Sequence, residues 1–106
     1  VQMASLPSDC SAVVAFEGSG DKIKSKSGRY LVASVDLRGY TLVIVKNQKQ
    51  SSYTLVWAEP TGVRKADRRL VNLYFADDNT VAMVFYHGSS MLKYRISLGS
   101  GQLTRS

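Results

Sequence analysis

The sequence has little of the chemistry on which enzymes and metal sites depend. It contains one cysteine, Cys10, and one histidine, His87, and only two of its eight acidic residues are glutamates. A single cysteine cannot form an intramolecular disulfide, and one cysteine with one histidine supplies too few soft ligands for a zinc site. The acidic residues also lack the loop spacing of a calcium site. We therefore expect no metal and no cofactor.

The sequence also offers few residues that could form a catalytic site. His87 is followed within three residues by two serines, but a triad with an aspartate at 77–78, or a pair with Cys10, needs a proximity that spacing does not predict. A histidine that ends a strand beside a turn is the simpler interpretation. The sequence thus predicts a protein that is not an enzyme, and a hydrolase built on His87 and a nearby serine is an alternative.

Long hydrophobic runs are also absent. The longest apolar stretch, around residues 41–45, is far shorter than the roughly 20 residues that a membrane-spanning helix needs, so we expect no transmembrane segment. A chain of 106 residues is the usual size of one domain, which predicts a single domain over residues 1–106. The high serine content leans towards a secreted or periplasmic protein but leaves the compartment open.

The dominant pattern in the chain is a short-range alternation of apolar and polar residues. Alternating segments separated by turn residues are typical of antiparallel strands, and here they span 30–37, 40–46, 53–58, 70–76, 80–87 and 91–98. Arg38-Gly39 predicts a two-residue hairpin turn. The sequence therefore predicts an all-β domain with at most one short helix. Its strands, about six to eight, form an antiparallel meander that closes into a barrel or a sandwich.

The same alternation predicts which side chains share a face. Three such sets are Leu31, Ala33, Val35 and Leu37; Tyr53, Leu55 and Trp57; and Val71, Leu73 and Phe75. We expect the first set to be the buried face of its strand. In the last segment, Leu92, Tyr94, Ile96 and Leu98 should point inward.

Two segments leave questions about the fold open. Segment 40–46 is apolar on both faces, so a terminal helix, a long loop or a second copy of the chain must cover its outer face. A homodimer is therefore an open alternative. Residues 8–17 fit both a helix and a strand, and the pair Val13-Val14 favours a strand.

Positive charge is the strongest functional signal. The chain has 14 Lys and Arg against 8 Asp and Glu, a net charge of +6 that favours anionic partners. The basic residues fall in two segments, one with Lys22, Lys24, Lys26 and Arg29 and one with Arg64, Lys65, Arg68 and Arg69. If both segments lie at the same end of the barrel, they form a positive rim. The leading hypothesis is a non-enzymatic binding module whose basic loops contact an acidic protein or an anionic polymer.

Aromatic residues support two other hypotheses. A barrel interior lined by Trp57, Phe85 and Tyr94 would hold an apolar small ligand. Tyr40, Tyr53 and Tyr86 lie near strand ends, where they could stack on the bases of a nucleic acid. Filling a core is the commoner role of strand aromatics, so binding of nucleic acid stays open.

Ser27-Gly28-Arg29-Tyr30 gives a further alternative. These four residues resemble the Ser-Gly-x-Tyr loop of bacterial periplasmic lysozyme inhibitors. The resemblance implies a small β protein in the periplasm that inserts this loop into the cleft of a lysozyme. Lysozymes are strongly basic, however, so the positive charge of this chain would oppose their approach.

Overall fold

The computed structural model describes residues 4–6, 10–60 and 68–105. They form one helix, α1 (Ser11–Glu17), and nine strands. The strands are β1 (Ala4–Leu6), β2 (Ile23–Lys24), β3 (Tyr30–Leu37), β4 (Tyr40–Asn47), β5 (Ser52–Pro60), β6 (Arg68–Asp77), β7 (Thr80–His87), β8 (Ser90–Ser97) and β9 (Leu103–Arg105). The six alternating segments correspond to β3–β8, and the mostly β fold is confirmed. In the described residues, no helix is both long enough and apolar enough to cross a membrane.

The strands form two antiparallel sheets. The first sheet has the order β1-β5-β4-β3-β2, and the second sheet has the order β6-β7-β8-β9. Neighbouring long strands are joined by short turns, as the meander requires. Neither sheet closes on itself within the described ranges, so the fold is compatible with both an open barrel and a sandwich.

The predicted Arg38-Gly39 hairpin turn is present. Arg38 has φ 52° and Gly39 has φ 82°, and Leu37 pairs with Tyr40 across the turn. Two consecutive positive φ angles are the geometry of a two-residue turn that follows the twist of its strands. Gly39 adopts this geometry without strain, whereas Arg38 has a side chain that disfavours it.

The main core lies between the two sheets. Its buried side chains come from both: Val32, Val43, Val45, Val56 and Trp57 from the first sheet, and Val81, Met83, Phe85 and Ile96 from the second. Leu92, Tyr94 and Leu98 pack against this cluster, which agrees with the inward face predicted for β8. The two sheets therefore bury their apolar faces against each other.

A second, smaller core lies on the outer face of the first sheet. Ala12 and Phe16 of α1 pack there against Ala33, Val35 and Ile44. The leaning towards a strand over 8–17 is thus wrong for Ser11–Glu17, because helical spacing directs Ala12 and Phe16 to one face. The helix is also what covers the outer face of β4. Consequently β3 is buried on both faces rather than one, since Val32 joins the main core.

Irregular pairing explains two other wrong predictions. The register between β4 and β5 shifts between Val43 and Ile44, where Val43 pairs with Trp57 but Ile44 pairs with Leu55. An extra residue reverses the alternation, so Trp57 faces the second sheet while Leu55 faces α1. A similar shift between Leu70 and Asn72 in β6 brings Leu70 into contact with the core and leaves Val71 exposed.

The meander also decides at which end each turn lies. The loop 25–29 before β3, the turn 48–51 after β4 and the turn 78–79 after β6 share one end, which we call the Ser27 end. The Arg38-Gly39 turn, the end of β5 and the start of β6 lie at the opposite end. Three strands, β3 to β5, separate the loop 25–29 from the end of β5, and an odd number of crossings places these two points at different ends.

Candidate anion-binding site

The loop of residues 25–29 is held in one conformation by its own hydrogen bonds. The amide of Ser25 donates to the carbonyl of Tyr30 (2.9 Å), and the amide of Tyr30 donates to the buried hydroxyl of Ser25 (3.1 Å). The amide of Gly28 donates to the carbonyl of Ser25 (2.9 Å). Gly28 has φ 81°, a conformation that side chains disfavour, so glycine suits this position.

Asp78 ties this loop to the second sheet. Its Oδ1 accepts the amide of Ser27 (2.8 Å) and its Oδ2 accepts the Ser27 hydroxyl (2.7 Å). The hydroxyl in turn accepts the amide of Arg29 (3.1 Å). The bond from the Ser27 amide, followed by that from its hydroxyl, lowers the pKa of the Asp78 carboxyl, and the positive charge of Arg29 adds to the effect.

The turn between β4 and β5 completes the Ser27 end. The Gln48 amide donates to the carbonyl of Arg29 (2.8 Å), and its side-chain amide donates to the carbonyl of Gly28 (3.3 Å). The turn is itself ordered by Asn47, whose Oδ1 accepts the amides of Lys49 (3.0 Å) and residue 50 (3.1 Å). A shallow depression of about 380 Å³ lies between the two segments, lined by Ser27, Gly28, Arg29, Gln48 and Lys49.

Four cationic residues lie at the Ser27 end, and two of them, Arg29 and Lys49, line this depression. Lys26, Arg29 and Lys49 are exposed, and the Arg29 guanidinium carbon lies 5.5 Å from the centre of the Tyr30 ring. The exposed Lys24 side chain passes Gly28, because a Cβ at that glycine would lie 3.7 Å from the Cδ of Lys24. We refer to Lys24, Lys26, Arg29 and Lys49 as the basic cluster. Lys49 was absent from the predicted site residues, since its proximity to Arg29 depends on the pairing of β3 with β4.

Lys22, a predicted site residue, has a structural role instead. Its ammonium donates to the carbonyls of Ser19 (2.7 Å) and Glu17 (3.0 Å). The carbonyl oxygen of Phe16 lies 3.4 Å from the same ammonium. These are carbonyls at the end of α1, where a cation is favourable. Lys22 therefore stabilises the end of the helix and is separate from the basic cluster.

The second predicted basic segment is only partly described. Arg64 and Lys65 lie outside the described residues, and of Arg68 and Arg69 only the backbone, at the start of β6, is described. Arg68 begins the strand that Asp77 ends, so their α-carbons lie roughly 30 Å apart at about 3.3 Å per residue. The backbone of Arg68 and Arg69 therefore lies far from the basic cluster.

A cluster that the sequence analysis missed connects α1 to the first sheet. Oε2 of Glu17 accepts hydrogen bonds from the Tyr53 hydroxyl and from the Lys46 ammonium, the latter at 3.1 Å. The bond from Tyr53 is the main cause of the lowered pKa of Glu17, and that same bond raises the pKa of Tyr53. The bond to Glu17 raises the pKa of Lys46. These contacts join α1, β4 and β5. They also hold the hydroxyl of Tyr53, a predicted stacking residue, at the carboxylate of Glu17.

The remaining predicted site features are spread over the molecule. Tyr40 lies at the end opposite Ser27, and Tyr86 lies on the outer face of the second sheet. The rings of Trp57, Phe85 and Tyr94 pack against one another with centroids 5.3–5.9 Å apart, so they fill the interior that a carrier would need. The side chain of His87 lies outside the described part of the structure. Among the described residues, no three potential metal ligands form a cluster.

No protein-family model, curated protein or solved structure matches this chain. The resemblance of Ser27–Tyr30 to the lysozyme-inhibitor loop therefore stays a prediction. That loop lies at the Ser27 end, where the Ser27 hydroxyl bonds to Asp78.

Proposed function

We propose that this domain is a non-enzymatic binding module that holds an anionic partner at the Ser27 end. The observation that carries the proposal is the combination of a hydrogen-bonded loop with the four residues of the basic cluster, two of which line a shallow depression. The partner is an acidic protein surface or an anionic polymer, because a depression open to solvent accepts part of a large molecule more readily than it encloses a small one.

The rigidity of the loop supports binding as its role. Ser25, Ser27 and Gln48 use backbone and side-chain groups to fix the loop, so little conformational entropy is lost when a partner binds. The carboxylate of Asp78 lies near Arg29, but its two oxygens already accept bonds from Ser27. The exposed cations of the cluster thus face solvent with their charge only partly balanced.

The proposal is tested by removing two charges from the cluster. We expect Lys26→Gln with Lys49→Gln to weaken binding to heparin and to polyglutamate about 5- to 30-fold at low salt, as for two lost surface ion pairs. Isothermal titration calorimetry measures the loss, which should shrink as added salt screens the charges.

A matched variant at other positions separates a local site from net charge. Arg38→Gln with Arg105→Gln lowers the charge by the same amount at two exposed positions outside the cluster. This control should bind nearly as well as the unmodified protein. Equal losses in the two variants, or binding that does not change with salt, would contradict a site at the Ser27 end.

A further inference from the structure

The outer face of the second sheet carries an unusual set of side chains. Because Val81, Met83 and Phe85 of β7 point into the core, the alternate residues point outward. The register brings the outward residues into rows across the sheet: Tyr86 beside Met91; Asn72, Val84 and Lys93; and Tyr74, Ala82, Arg95 and Thr104. These nine residues, which we call the outer face, include no acidic one. The adjoining row of Asp77, Thr80 and Ser97 contains Asp77, whose Oδ1 accepts the amide of Asn79 (2.9 Å).

Aromatic and cationic side chains are adjacent on the outer face. Tyr86 is 40% exposed and its cross-strand neighbour Met91 is 60% exposed. The Lys93 ammonium lies 5.6 Å from the centre of the Tyr74 ring, reaching across β7 above Ala82, which is fully buried. Arg95 is exposed in the row that contains Tyr74. Backbone pairing also places Arg69 opposite Tyr86.

The outer face differs from the corresponding face of the first sheet. There α1 buries Ala33, Val35 and Ile44, whereas the described residues supply no helix that packs on the second sheet. An excess of cations on a surface favours an anionic partner. The exposed ring of Tyr86 adds a preference for partner groups that stack.

We propose that the outer face binds single-stranded nucleic acid. Bases stack on the exposed ring of Tyr86, while Lys93, which lies over Tyr74, and Arg95 contact phosphates. Only a single strand offers both unstacked bases and regularly spaced negative charges, since a duplex hides the faces of its bases and an acidic peptide has none. This surface is separate from the Ser27 end, so the proposal is independent of binding there.

Stacking is tested with three tyrosine variants and a fluorescently labelled oligothymidylate, by fluorescence anisotropy. Tyr86→Ala should weaken binding roughly 5- to 150-fold, the range for the loss of one base–aromatic stack. Tyr86→Phe keeps the ring and should bind as the unmodified protein does. Tyr40→Ala removes a similarly exposed tyrosine, 48% exposed, from the first sheet and should have no effect.

The phosphate contacts are tested by the dependence of affinity on salt. Lys93→Gln with Arg95→Gln should make the slope of log affinity against log salt shallower by about 1.4, at about 0.7 per phosphate contact on a single strand. Lys26→Gln with Lys49→Gln, which tests the Ser27 end, should leave the effect of Tyr86→Ala on oligothymidylate binding unchanged.

Three outcomes would overturn the proposal. The first is an equal effect of Tyr86→Ala and Tyr40→Ala, which excludes stacking at Tyr86. The second is binding of a duplex as tight as that of the single strand. The third is a requirement for Tyr86 in the binding of polyglutamate, which would make the outer face a protein-binding surface. None of these results bears on heparin binding by the basic cluster, so the two proposals fail separately.

Discussion

At Asp78, one carboxylate joins two segments that are 51 residues apart in the sequence. It accepts both the amide and the hydroxyl of Ser27, and these bonds favour the charged form of the carboxyl over the neutral form. The pKa of Asp78 is lowered for that reason. The bonds that tie the loop 25–29 to the second sheet are therefore stronger when this side chain is ionised.

The lowered pKa of Asp78 predicts a loss of stability in acid. The pKa of Asp78 in the folded protein lies below its value in the unfolded chain, which is about 3.9. The ionised carboxylate therefore stabilises the fold fully at pH values above the unfolded pKa. This stabilisation is lost as the pH falls through the folded pKa. Asp78→Asn should therefore be less stable than the unmodified protein at neutral pH, and the difference should shrink in acid. Urea unfolding over a pH series measures it.

Two controls accompany this measurement. Asp21→Asn removes the same charge at another exposed position and should not reproduce the pH dependence. Ser27→Ala removes the hydroxyl partner, so its effect and that of Asp78→Asn should be non-additive in a double-mutant cycle. A difference between Asp78→Asn and the unmodified protein that stays constant with pH would show that the carboxylate is not the responsible group.

Among the elements, α1 depends most on its surroundings. A helix of seven residues is unstable in isolation, so tertiary contacts must hold it. Phe16 is fully buried against the first sheet and its ring meets that of Tyr53 edge-on, with centroids 5.8 Å apart. Lys22 binds the carbonyls at the end of the helix, and Glu17 binds Lys46.

Removing the buried ring tests how α1 is held. Phe16→Ala should lower the free energy of unfolding by about 3 to 5 kcal/mol, through lost burial and the cavity that remains. Val14→Ala, in the same helix but at a position that is 66% exposed, should change it by no more than about 0.5 kcal/mol. Chemical denaturation measures both. Similar small effects of the two variants would mean that α1 contributes little to the fold.

The sequence predicts regular strands well and irregular ones poorly. Period-two alternation located β3 to β8, and the Arg38-Gly39 turn followed from the need for positive φ. The bulges that turn Trp57 towards the second sheet and expose Val71 leave no trace in local composition, because they are fixed by how neighbouring strands pair. The amphipathic pattern of α1 competed with the strand preference of Val13-Val14, and only packing of Phe16 decides between them.

The site was predictable in part from the same strands. The sequence grouped Lys22, Lys24, Lys26 and Arg29 in one basic segment; the last three lie at or beside the loop 25–29, whereas Lys22 binds carbonyls at the end of α1. Their role in binding stays a prediction. Because three strands, β3, β4 and β5, follow the first basic segment, a meander predicts that the segment beginning at Arg64 starts at the end opposite the loop 25–29. By contrast, the bond between Ser27 and Asp78 and the approach of Lys49 to Arg29 are long-range contacts. No spacing rule predicts them.

At the scale of the whole molecule, the two sheets share one interior. Trp57 of the first sheet lies 5.3 Å from Phe85 and 5.4 Å from Tyr94 of the second sheet, measured between ring centroids. Each sheet buries the apolar face of the other, and the Ser27–Asp78 bonds join them at one end. Separating the sheets would expose both faces to water at once, so we expect the two sheets to be stable only together.

This shared interior predicts that the chain unfolds in one cooperative transition. Trp57 is the only tryptophan and is buried between the sheets, so its fluorescence reports their separation, while far-ultraviolet circular dichroism reports the strands of both. The two signals should change at the same urea concentration. Met83→Ala in the second sheet should move both midpoints down together, as should Phe16→Ala beneath the first. A fluorescence change that precedes the loss of strand signal would mean that the sheets separate before they unfold, and that the shared core does not make them one cooperative unit.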